Sequence, residues 1–248
     1  MIRYVKEMEK DRVFAQKKDI VAPFQFNETV TRVFDDMLQR SVPLYRESIL
    51  RQAQLAKRFY RTGTRMYDLG CSNGNLGLTI LDEMENQTFS MIAVDSSLPM
   101  IRTYAGRLVP YPAGRIHLVC GLLENVKIEN ASVVLINLTL QFLAPEKRDR
   151  LIHRIYDGME PGGILLLTEK TVHPDQETDA LEVAFYKRFK RENGYSDLEI
   201  SQKRDALEKV LIPDTLDIHR QRIADAGFSG FDIWMKWFNF VSMMAVKM

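Results

Sequence analysis

Apolar residues along this chain change their spacing near residue 64. Before that point they recur every three or four positions, which predicts one helix capped by Asn27 and a second that begins near Pro43 and ends near Phe59. After it, short runs rich in valine, isoleucine and leucine alternate with helical stretches, a pattern typical of parallel strands joined by crossover helices. The charge-rich residues 1–22 are interpreted as a loosely attached arm with some helical tendency.

The alternating part predicts five strands and three helices. The strands are expected at 65–69, 89–95, 115–120, 132–140 and 164–168, the helices at 75–85, 98–108 and 144–159, and a turn at 160–163. Continuous apolar strands such as 133–136 indicate a sheet covered on both faces. Residues 175–210 break the rhythm with two long polar helical segments, which we interpret as an insertion over the sheet.

The end of the chain completes the predicted sheet. A helix around 213–226 precedes two apolar runs, 231–238 and 240–246, which are expected to pair at the sheet edge. The predicted fold class is therefore α/β: a Rossmann-like, mixed, mostly parallel seven-stranded sheet with helices on both faces, plus N-terminal helices and a helical insertion. Residues 23–248 are expected to form one domain that includes this insertion.

Composition excludes several classes of function. Lys and Arg number 34 against 33 Asp and Glu, so binding of polyanions through overall charge is excluded, and no direct contact with nucleic acid is expected. The charged N-terminus is unlike a secretory signal, and no apolar stretch approaches the roughly 18 residues of a membrane span. The two cysteines, Cys71 and Cys120, are too few for a disulfide framework, which favours reduced thiols in a cytoplasm.

The strongest local motif is the loop Asp68–Gly74, which follows the first parallel strand and opens a helix. Small residues there let a ligand approach the backbone, and the helix offers unpaired N–H groups. Asp95, at the end of the second strand, is placed to accept hydrogen bonds from two ribose hydroxyls. The third glycine of a dinucleotide fingerprint falls too early here, whereas Asp68 suits the amino group of a nucleoside that carries an amino acid. The combination predicts a nucleoside site at the carboxyl ends of the strands.

Two other interpretations of the loop remain open at this point. It is also compatible with a plain strand-to-helix turn, and its G-x-S-x-G spacing matches a hydrolase elbow that would present Ser72 to a histidine such as His219. The hydrolase is disfavoured because little sheet precedes the loop to supply an oxyanion hole. No cluster of histidine, cysteine and carboxylate residues has metal-ligand spacing, so no metal is expected.

The loop resembles motif I of S-adenosylmethionine (SAM)-dependent methyltransferases, and longer segments make the resemblance more specific. The chain resembles the carboxy-S-adenosyl-L-methionine synthases from about Phe24 to Val246. The segments that carry the resemblance are Gln39–Tyr45, Asp68–Gly74, Asn130–Ser132, Asn137–Phe142, Asn193–Arg204, Ala226–Phe228 and Trp237–Phe240. The part around Ser196–Arg204 is discriminating, because ordinary methyltransferases lack it.

The resemblance implies a reaction and partners. Members of the family convert SAM and prephenate into carboxy-SAM and phenylpyruvate, and a partner enzyme transfers the carboxymethyl group to a wobble uridine of tRNA. The resemblance also implies a homodimer and SAM, or carboxy-SAM as product, in the site. Because the sulfonium acidifies its methyl group and prephenate can release carbon dioxide and hydroxide, no side chain is needed as the base. The protein's part would be positioning and exclusion of water.

The resemblance also implies roles for particular residues. Tyr45 would contact the methionine portion, the loop residues Gly70, Cys71 and Ser72 would lie beneath it, and Asp95 with Ser96 would hold the ribose. Asn137 would lie near the sulfonium, and Arg204 would bind the new carboxylate through two parallel hydrogen bonds. The three residues expected to act on the reacting groups are Arg204, Asn137 and Tyr45.

One position departs from the family. An aspartate usually accepts a hydrogen bond from the adenine amino group after the third strand, and this chain has Leu122 there, followed by Leu123. The lost hydrogen bond is expected to cost about 1 kcal/mol. Arg204 is hypothesised to serve the neighbouring subunit's site, and the basic run Lys187–Arg191 is expected to form a solvated helix face. A methyltransferase acting on a small molecule or tRNA, and a regulatory nucleoside-binding protein, are the competing hypotheses.

Overall fold

A computed structural model describes residues 9–85 and 87–248. The two N-terminal helices are α1, Glu28–Ser41, and α2, Tyr45–Phe59. The side chain of Asn27 accepts a hydrogen bond from the backbone N–H of Val30 at 3.1 Å, so the predicted cap of α1 is confirmed. Helix α2 ends where predicted, but it begins at Tyr45, after Pro43.

Seven strands form a single sheet in the order β3-β2-β1-β4-β5-β7-β6. The first five are mutually parallel, and β7 pairs antiparallel with both β5 and β6, as predicted for the edge of the sheet. The strands are β1 Arg65–Leu69, β2 Met91–Asp95, β3 Ile116–Cys120, β4 Ala131–Asn137, β5 Met159–Lys170, β6 Ser229–Trp237 and β7 Phe240–Val246. The predicted fold class is confirmed.

Six further helices join or cover these strands. They are α3 Asn75–Met84, α4 Leu98–Leu108, α5 Pro145–Gly158, α6 Gln176–Glu192, α7 Asp197–Leu207 and α8 Leu216–Asp225. Residues of strands β1, β2, β4 and β5 alternate between two apolar clusters: Tyr67 faces the cluster that includes α5 and α8, whereas Met66 faces the one that includes α2 and α3. This burial on both faces explains the continuous apolar strands.

Two strand boundaries differ from the predictions by more than two residues. The expected turn at 160–163 is wrong, because those residues are the first part of β5, with Gly162 at φ 78°. Strand β4 ends at Asn137 and not at Leu140, because Leu138 is left-handed at φ 56° and residues 140–142 form a 3₁₀ turn. The second difference matters for function, since it places Asn137 at the last position of its strand.

The N-terminal residues that the structure describes contain no helix, unlike the predicted tendency, and they pack against the insertion rather than lying loose. Asp11 is buried and accepts a hydrogen bond from the Tyr195 hydroxyl at 2.5 Å. Gln202 on α7 donates to the carbonyl oxygens of Phe14 and Gln16, both at 2.9 Å. Residues 1–8 of the predicted arm lie outside the described residues.

The predicted insertion contains α6 and α7, separated by Asn193–Ser196 as expected. Ser196 and Glu199 form a reciprocal capping box that fixes the start of α7. Among the helices that the structure describes, none is long and apolar enough to cross a bilayer. Residues of α6 and α7, together with Phe24 and Phe26, line the space above the carboxyl ends of the strands.

Candidate functional site

A cavity of about 550 Å³ lies at the carboxyl ends of the parallel strands, roofed by α1 and by the insertion. Such a position is where open α/β sheets bind ligands. The site residues predicted from the sequence all line this one cavity: Tyr45, Gly70, Cys71, Ser72, Asp95, Ser96, Leu122, Leu123, Asn137 and Arg204. The structure thus brings together residues that the sequence spreads over about 160 positions, from 45 to 204.

Backbone hydrogen bonds hold the loop after β1 close to strand β2. The N–H groups of Gly70 and Cys71 both donate to the carbonyl of Val94, at 2.8 and 2.9 Å. Gly70 has φ 89°, and a Cβ there would collide with the side chain of Thr139. Because no larger residue fits, the backbone of this loop forms the floor of the cavity.

Two aspartates lie at this floor in different environments. Asp95 accepts hydrogen bonds from the backbone N–H groups of Ser72 at 2.9 Å and Ser97 at 2.8 Å, which fix its orientation. Asp68 is only 1% exposed, and its Oδ2 has no hydrogen-bond partner among the described residues. Burial, followed by the nearby Asp95, raises the pKa of the Asp68 carboxyl to about 7. Asp68 therefore has an acceptor oxygen without a partner, and a bound ligand can supply the missing hydrogen-bond donor.

Helix α1 orients the polar side chains beside this loop. Asp35 accepts hydrogen bonds from the side-chain amides of Asn73 and Asn75, both at 2.8 Å, and Asn75 in turn hydrogen bonds with Tyr45. Burial raises the pKa of the Tyr45 hydroxyl far above its usual range, so it remains a neutral hydrogen-bonding group. Sequence reasoning missed Asp35, because its position in an amphipathic helix carries no local signal.

Asn137 is held in place by a second helix. Its Oδ1 accepts a hydrogen bond from Nε2 of Gln52 on α2 at 3.3 Å, and Nε2 also approaches the Ser48 hydroxyl at 3.1 Å. With Oδ1 engaged, the amide N–H groups of Asn137 remain available to a group in the cavity. Gln52 is fully buried, and Ser48 one turn before it is also buried, so the signal that could have identified them is a pair of polar residues spaced one turn apart beside the apolar positions of α2.

The departure at Leu122 is visible in the structure. Leu122 lines the cavity with 55% of its surface exposed, whereas Leu123 is buried in the core. Glu124 lines the same end of the cavity and accepts a hydrogen bond from Lys147 at 2.9 Å. This end therefore offers an apolar surface and no carboxylate at position 122.

Positive charges line the opposite end, where Arg204 lies with Lys170, Lys187, Lys190 and Lys203. Lys190 and Lys203 are buried, so the expectation that the basic run is a solvated helix face is wrong for Lys190. Arg204 lines the cavity of its own chain, which gives no support to a role in the neighbouring subunit's site. Its side chain is 64% exposed, and its guanidinium pairs with Asp205 at 3.1 Å.

The hydrolase interpretation gains no support from the structure. All four histidines lie in the described part of the chain, and none lines the cavity. His219 is buried in α8, 3.4 Å from the Arg222 guanidinium. Within residues 9–85 and 87–248, no group of three or more histidine, cysteine or carboxylate side chains is placed to hold a metal ion.

The floor of the cavity fits a nucleoside that carries an amino acid. An ammonium group would satisfy the unpartnered, buried Asp68, and the Gly70 backbone leaves room that any side chain would fill. Asp95 keeps free lone pairs for two hydroxyl groups beside its backbone hydrogen bonds. These features agree with SAM, whose methionine amino group and ribose require such acceptors.

Comparison with known proteins gives the same picture. Residues 66–163 match the family model described as a methyltransferase domain. A carboxy-S-adenosyl-L-methionine synthase of Desulforapulum autotrophicum is 57% identical over 241 residues, covering 97% of this chain and 98% of that protein. The synthase of Shewanella sediminis is 45% identical over 239 residues, covering 96% of this chain and 98% of its own length.

Solved structures share the fold at much lower identity. Human N-acetylserotonin methyltransferase, solved with SAM, superposes with a TM-score of 0.62 at 17% identity, over 89% of this chain and 55% of the human chain. An O-methyltransferase family protein from Burkholderia thailandensis gives a TM-score of 0.63 at 17% identity, over 92% of this chain and 65% of that one. The chain thus spans little more than half of the human enzyme. Together with the near full-length identity to the synthases, these findings show that the chain belongs to the carboxy-S-adenosyl-L-methionine synthase family, transferases with the SAM-dependent methyltransferase fold.

Proposed function

We propose that this protein converts SAM and prephenate into carboxy-SAM and phenylpyruvate. The observation that carries the proposal is that Arg204, from the insertion, lines the same cavity as Asp68 and Asp95 of the methyltransferase-like core. A methyltransferase needs the core residues alone, whereas a synthase also needs a cation for the carboxylate that it forms. Near full-length identity to curated synthases supports the same reaction.

SAM would be held mainly by the core of the fold. We assign the ribose hydroxyls to Asp95 with Ser96, and the amino-acid portion to Asp68, Tyr45 and the loop Gly70–Ser72. Leu122 and Leu123 would contact the adenine ring through apolar side chains and a backbone N–H. Without an acidic residue at position 122, the adenine amino group loses one acceptor, a cost of about 1 kcal/mol in affinity.

The chemistry requires little from side chains. Loss of carbon dioxide and hydroxide from prephenate leaves aromatic phenylpyruvate; hydroxide takes a proton from the SAM methyl group to give water, and the methyl carbon bonds to carbon dioxide. Atoms and charge balance without a further reactant. Arg204 and the amide N–H groups of Asn137 would orient the carboxylate. The roof formed by α1 and the insertion would keep the released carbon dioxide from escaping into water before it reacts. Neither residue acts as acid or base in this scheme.

The wider setting follows from the family resemblance. We propose a cytoplasmic homodimer, formed around one domain at residues 23–248, whose product is used by a separate tRNA carboxymethyltransferase. No direct contact with nucleic acid or membrane is needed for that role, because the near-neutral chain would act only on small molecules. Arg204 is proposed to serve the site of its own chain.

Mass spectrometry of a single reaction tests the proposal. The purified protein, incubated with SAM and prephenate, should form carboxy-SAM and phenylpyruvate in equal amounts. Methyl transfer to an added acceptor, with no effect of prephenate, would instead identify a methyltransferase. Tight SAM binding with neither product would identify a regulatory binding protein.

An Arg204→Lys variant sharpens this test, since it keeps the charge but loses the two-pronged hydrogen bonds. The synthase predicts weaker binding of carboxy-SAM, by about tenfold, with SAM affinity unchanged. Arg188→Lys is the matched control, because Arg188 lies exposed on α6, paired with Glu192, and does not line the cavity. Equal carboxy-SAM affinity in both variants would remove Arg204 from the proposed site.

A further inference from the structure

Two lysines in the cavity lack an anionic partner. Lys190, in the last turn of α6, is 7% exposed, and Lys170 is the last residue of β5. Their Nζ atoms lie 4.2 and 5.1 Å from the ring centroid of Tyr186, so both ammonium groups are held at the same aromatic ring. Neither ammonium group makes a hydrogen bond or salt bridge with any residue that the structure describes. Both lysines line the cavity, so a molecule inside it can reach them.

The surroundings of Lys190 add positive charge. Burial, followed by the neighbouring cations Lys203, Lys170, Lys187 and Arg204, lowers the pKa of Lys190 to about 7. Burial also lowers the pKa of Lys170, and Asp179 only partly offsets this effect. An unpaired buried ammonium is costly to the fold, and an anion that enters the cavity would remove that cost.

Acidic and basic side chains lie on different sides of the cavity, and this separation follows the order of the strands in the sheet. Asp68 is the next-to-last residue of β1, Asp95 ends β2 and Glu124 follows β3, so these acidic groups lie on one side of β4. Lys170 ends β5, and α6 and α7 bring the other cations to the opposite side. Two groups depart from this division. They are Lys147, which pairs with Glu124, and Glu208, at the end of α7.

This division separates the two substrates by charge. The amino group and sulfonium of SAM are cationic and suit the acidic side. A dicarboxylate such as prephenate needs two cations, and Arg204 is already assigned to the carboxylate of the product. Lys203 has a partial partner in Asp11, 3.8 Å away. Lys187 also lines the cavity without an ion pair, but among the described residues only Lys170 and Lys190 share the Tyr186 ring, so we take these two lysines as the pair of cations for the second substrate.

We infer that Lys170 and Lys190 bind the two carboxylates of the dianionic second substrate beside the Tyr186 ring. The inference rests on the proposed function, because it takes prephenate as that substrate. Tyr186 is positioned for this by its hydroxyl, which donates to the backbone carbonyl of Ser41 at 2.9 Å and so joins α6 to α1. The lysines act as binding residues for the second substrate and have no contact with the ribose of SAM.

Steady-state kinetics of Lys190→Met and Lys170→Met test the inference. Methionine keeps most of the length and removes the charge. Each variant should raise KM for prephenate by about tenfold or more, with the SAM dissociation constant within about twofold of wild type. Lys190→Arg should recover part of the lost affinity. The control is Arg191→Met, because Arg191 is the next residue on α6, pairs with Asp197 on the surface and does not line the cavity.

Calorimetry gives a second measurement that does not need turnover. With S-adenosylhomocysteine in the SAM site, prephenate binding to the wild-type protein at pH 7.5 should take up protons, because the anion raises the pKa of Lys190 from about 7. The uptake is measured by repeating the titration in buffers with different ionisation enthalpies. It should disappear in Lys190→Met. Thermal melting and SAM binding identify any variant that does not fold. If one lysine variant fails to fold, the other lysine variant and the wild-type titration still test the lysine site.

The possible outcomes separate the two proposals. If the wild-type protein forms carboxy-SAM but both methionine variants keep the wild-type KM and no protons are taken up, the lysine site is wrong and the proposed function stands. If the wild-type protein forms no carboxy-SAM but prephenate still binds in a lysine-dependent way, the proposed function is wrong and the dicarboxylate site stands.

Discussion

Replacing Asp68 with asparagine should make the ligand-free protein more stable at neutral and alkaline pH while weakening SAM binding. Asp68 is 1% exposed, and its Oδ2 has no hydrogen-bond partner among the residues described. Its pKa is raised from 3.8 to about 7, mainly by burial. Since each pKa unit corresponds to 1.36 kcal/mol, the ionised carboxylate costs the folded state about 4 kcal/mol. That value is an upper bound for the gain, because the new amide is also buried without a partner.

The sign of the pH dependence follows from the raised pKa. Below about pH 4 the carboxyl is protonated in both the folded and unfolded states, so it contributes no penalty. Between about pH 4 and 7 the unfolded chain has lost the proton and the folded chain retains it, so wild-type stability falls as the pH rises. The penalty is complete above about pH 7. The difference in unfolding free energy between Asp68→Asn and wild type should therefore grow by about 2–3 kcal/mol from pH 5 to pH 8.

Urea unfolding at pH 5 and pH 8 measures this difference, and calorimetric titration measures SAM affinity. Asp157→Asn is the matched control, because Asp157 is exposed on α5 and should show no such change. SAM should stabilise the wild-type protein more than the variant, since its amino group supplies the partner that Asp68 lacks. A stability difference that is equal at both pH values, or unchanged SAM affinity, would refute the role given to this carboxylate.

Three further predictions concern the rest of the cavity. Leu122→Asp should restore an acceptor for the adenine amino group and tighten SAM binding severalfold, about 1 kcal/mol, by calorimetry; weaker binding would place adenine elsewhere. Gly70→Ala should lose at least about tenfold in SAM affinity with the fold retained by circular dichroism, because φ is 89° and the methyl group would meet Thr139. Glu169→Gln should lower the urea-unfolding free energy at pH 4.5 by about 1–3 kcal/mol, because one amide oxygen cannot replace a carboxyl that accepts three backbone N–H groups. This deficit should shrink toward pH 8, because burial raises the pKa of Glu169 to about 8 and only the wild type loses stability as the pH rises; a deficit that is equal at both pH values would contradict this.

Local signals explain why much of the fold could be predicted. The cap at Asn27 marks the start of α1, and the spacing of apolar residues marks α4 at both of its ends. Strands β1, β2, β4 and β5 have residues in both apolar clusters, so their apolar runs stand out without any knowledge of their partners, whereas β3 lies at the sheet edge and is largely exposed. The loop from Asp68 to Gly74 was equally clear, because glycines with positive φ and a following helix form a short, contiguous pattern.

The resemblance to the synthases supplied what spacing does not. Arg204 lies in a sequence that by itself is typical of an exposed helix face, and the structure indeed leaves 64% of its side chain exposed. In the structure, its presence in the same cavity as Asp95 relates it to a ligand. A role for such a residue depends on contacts between distant segments, which no local pattern encodes.

The sequence by itself determined the class of fold, the strand order along the chain and the nucleoside loop, because each depends on neighbours within a few residues. Tertiary structure alone decided that Lys190 is buried, since the run Lys187–Arg191 is as polar as a solvated helix. It also decided that residues 9–22 pack on the insertion, through Asp11 and Tyr195, which are 184 positions apart. The physical reason is the same in both cases: burial and charge environment are set by segments far apart in sequence that meet only when the chain folds.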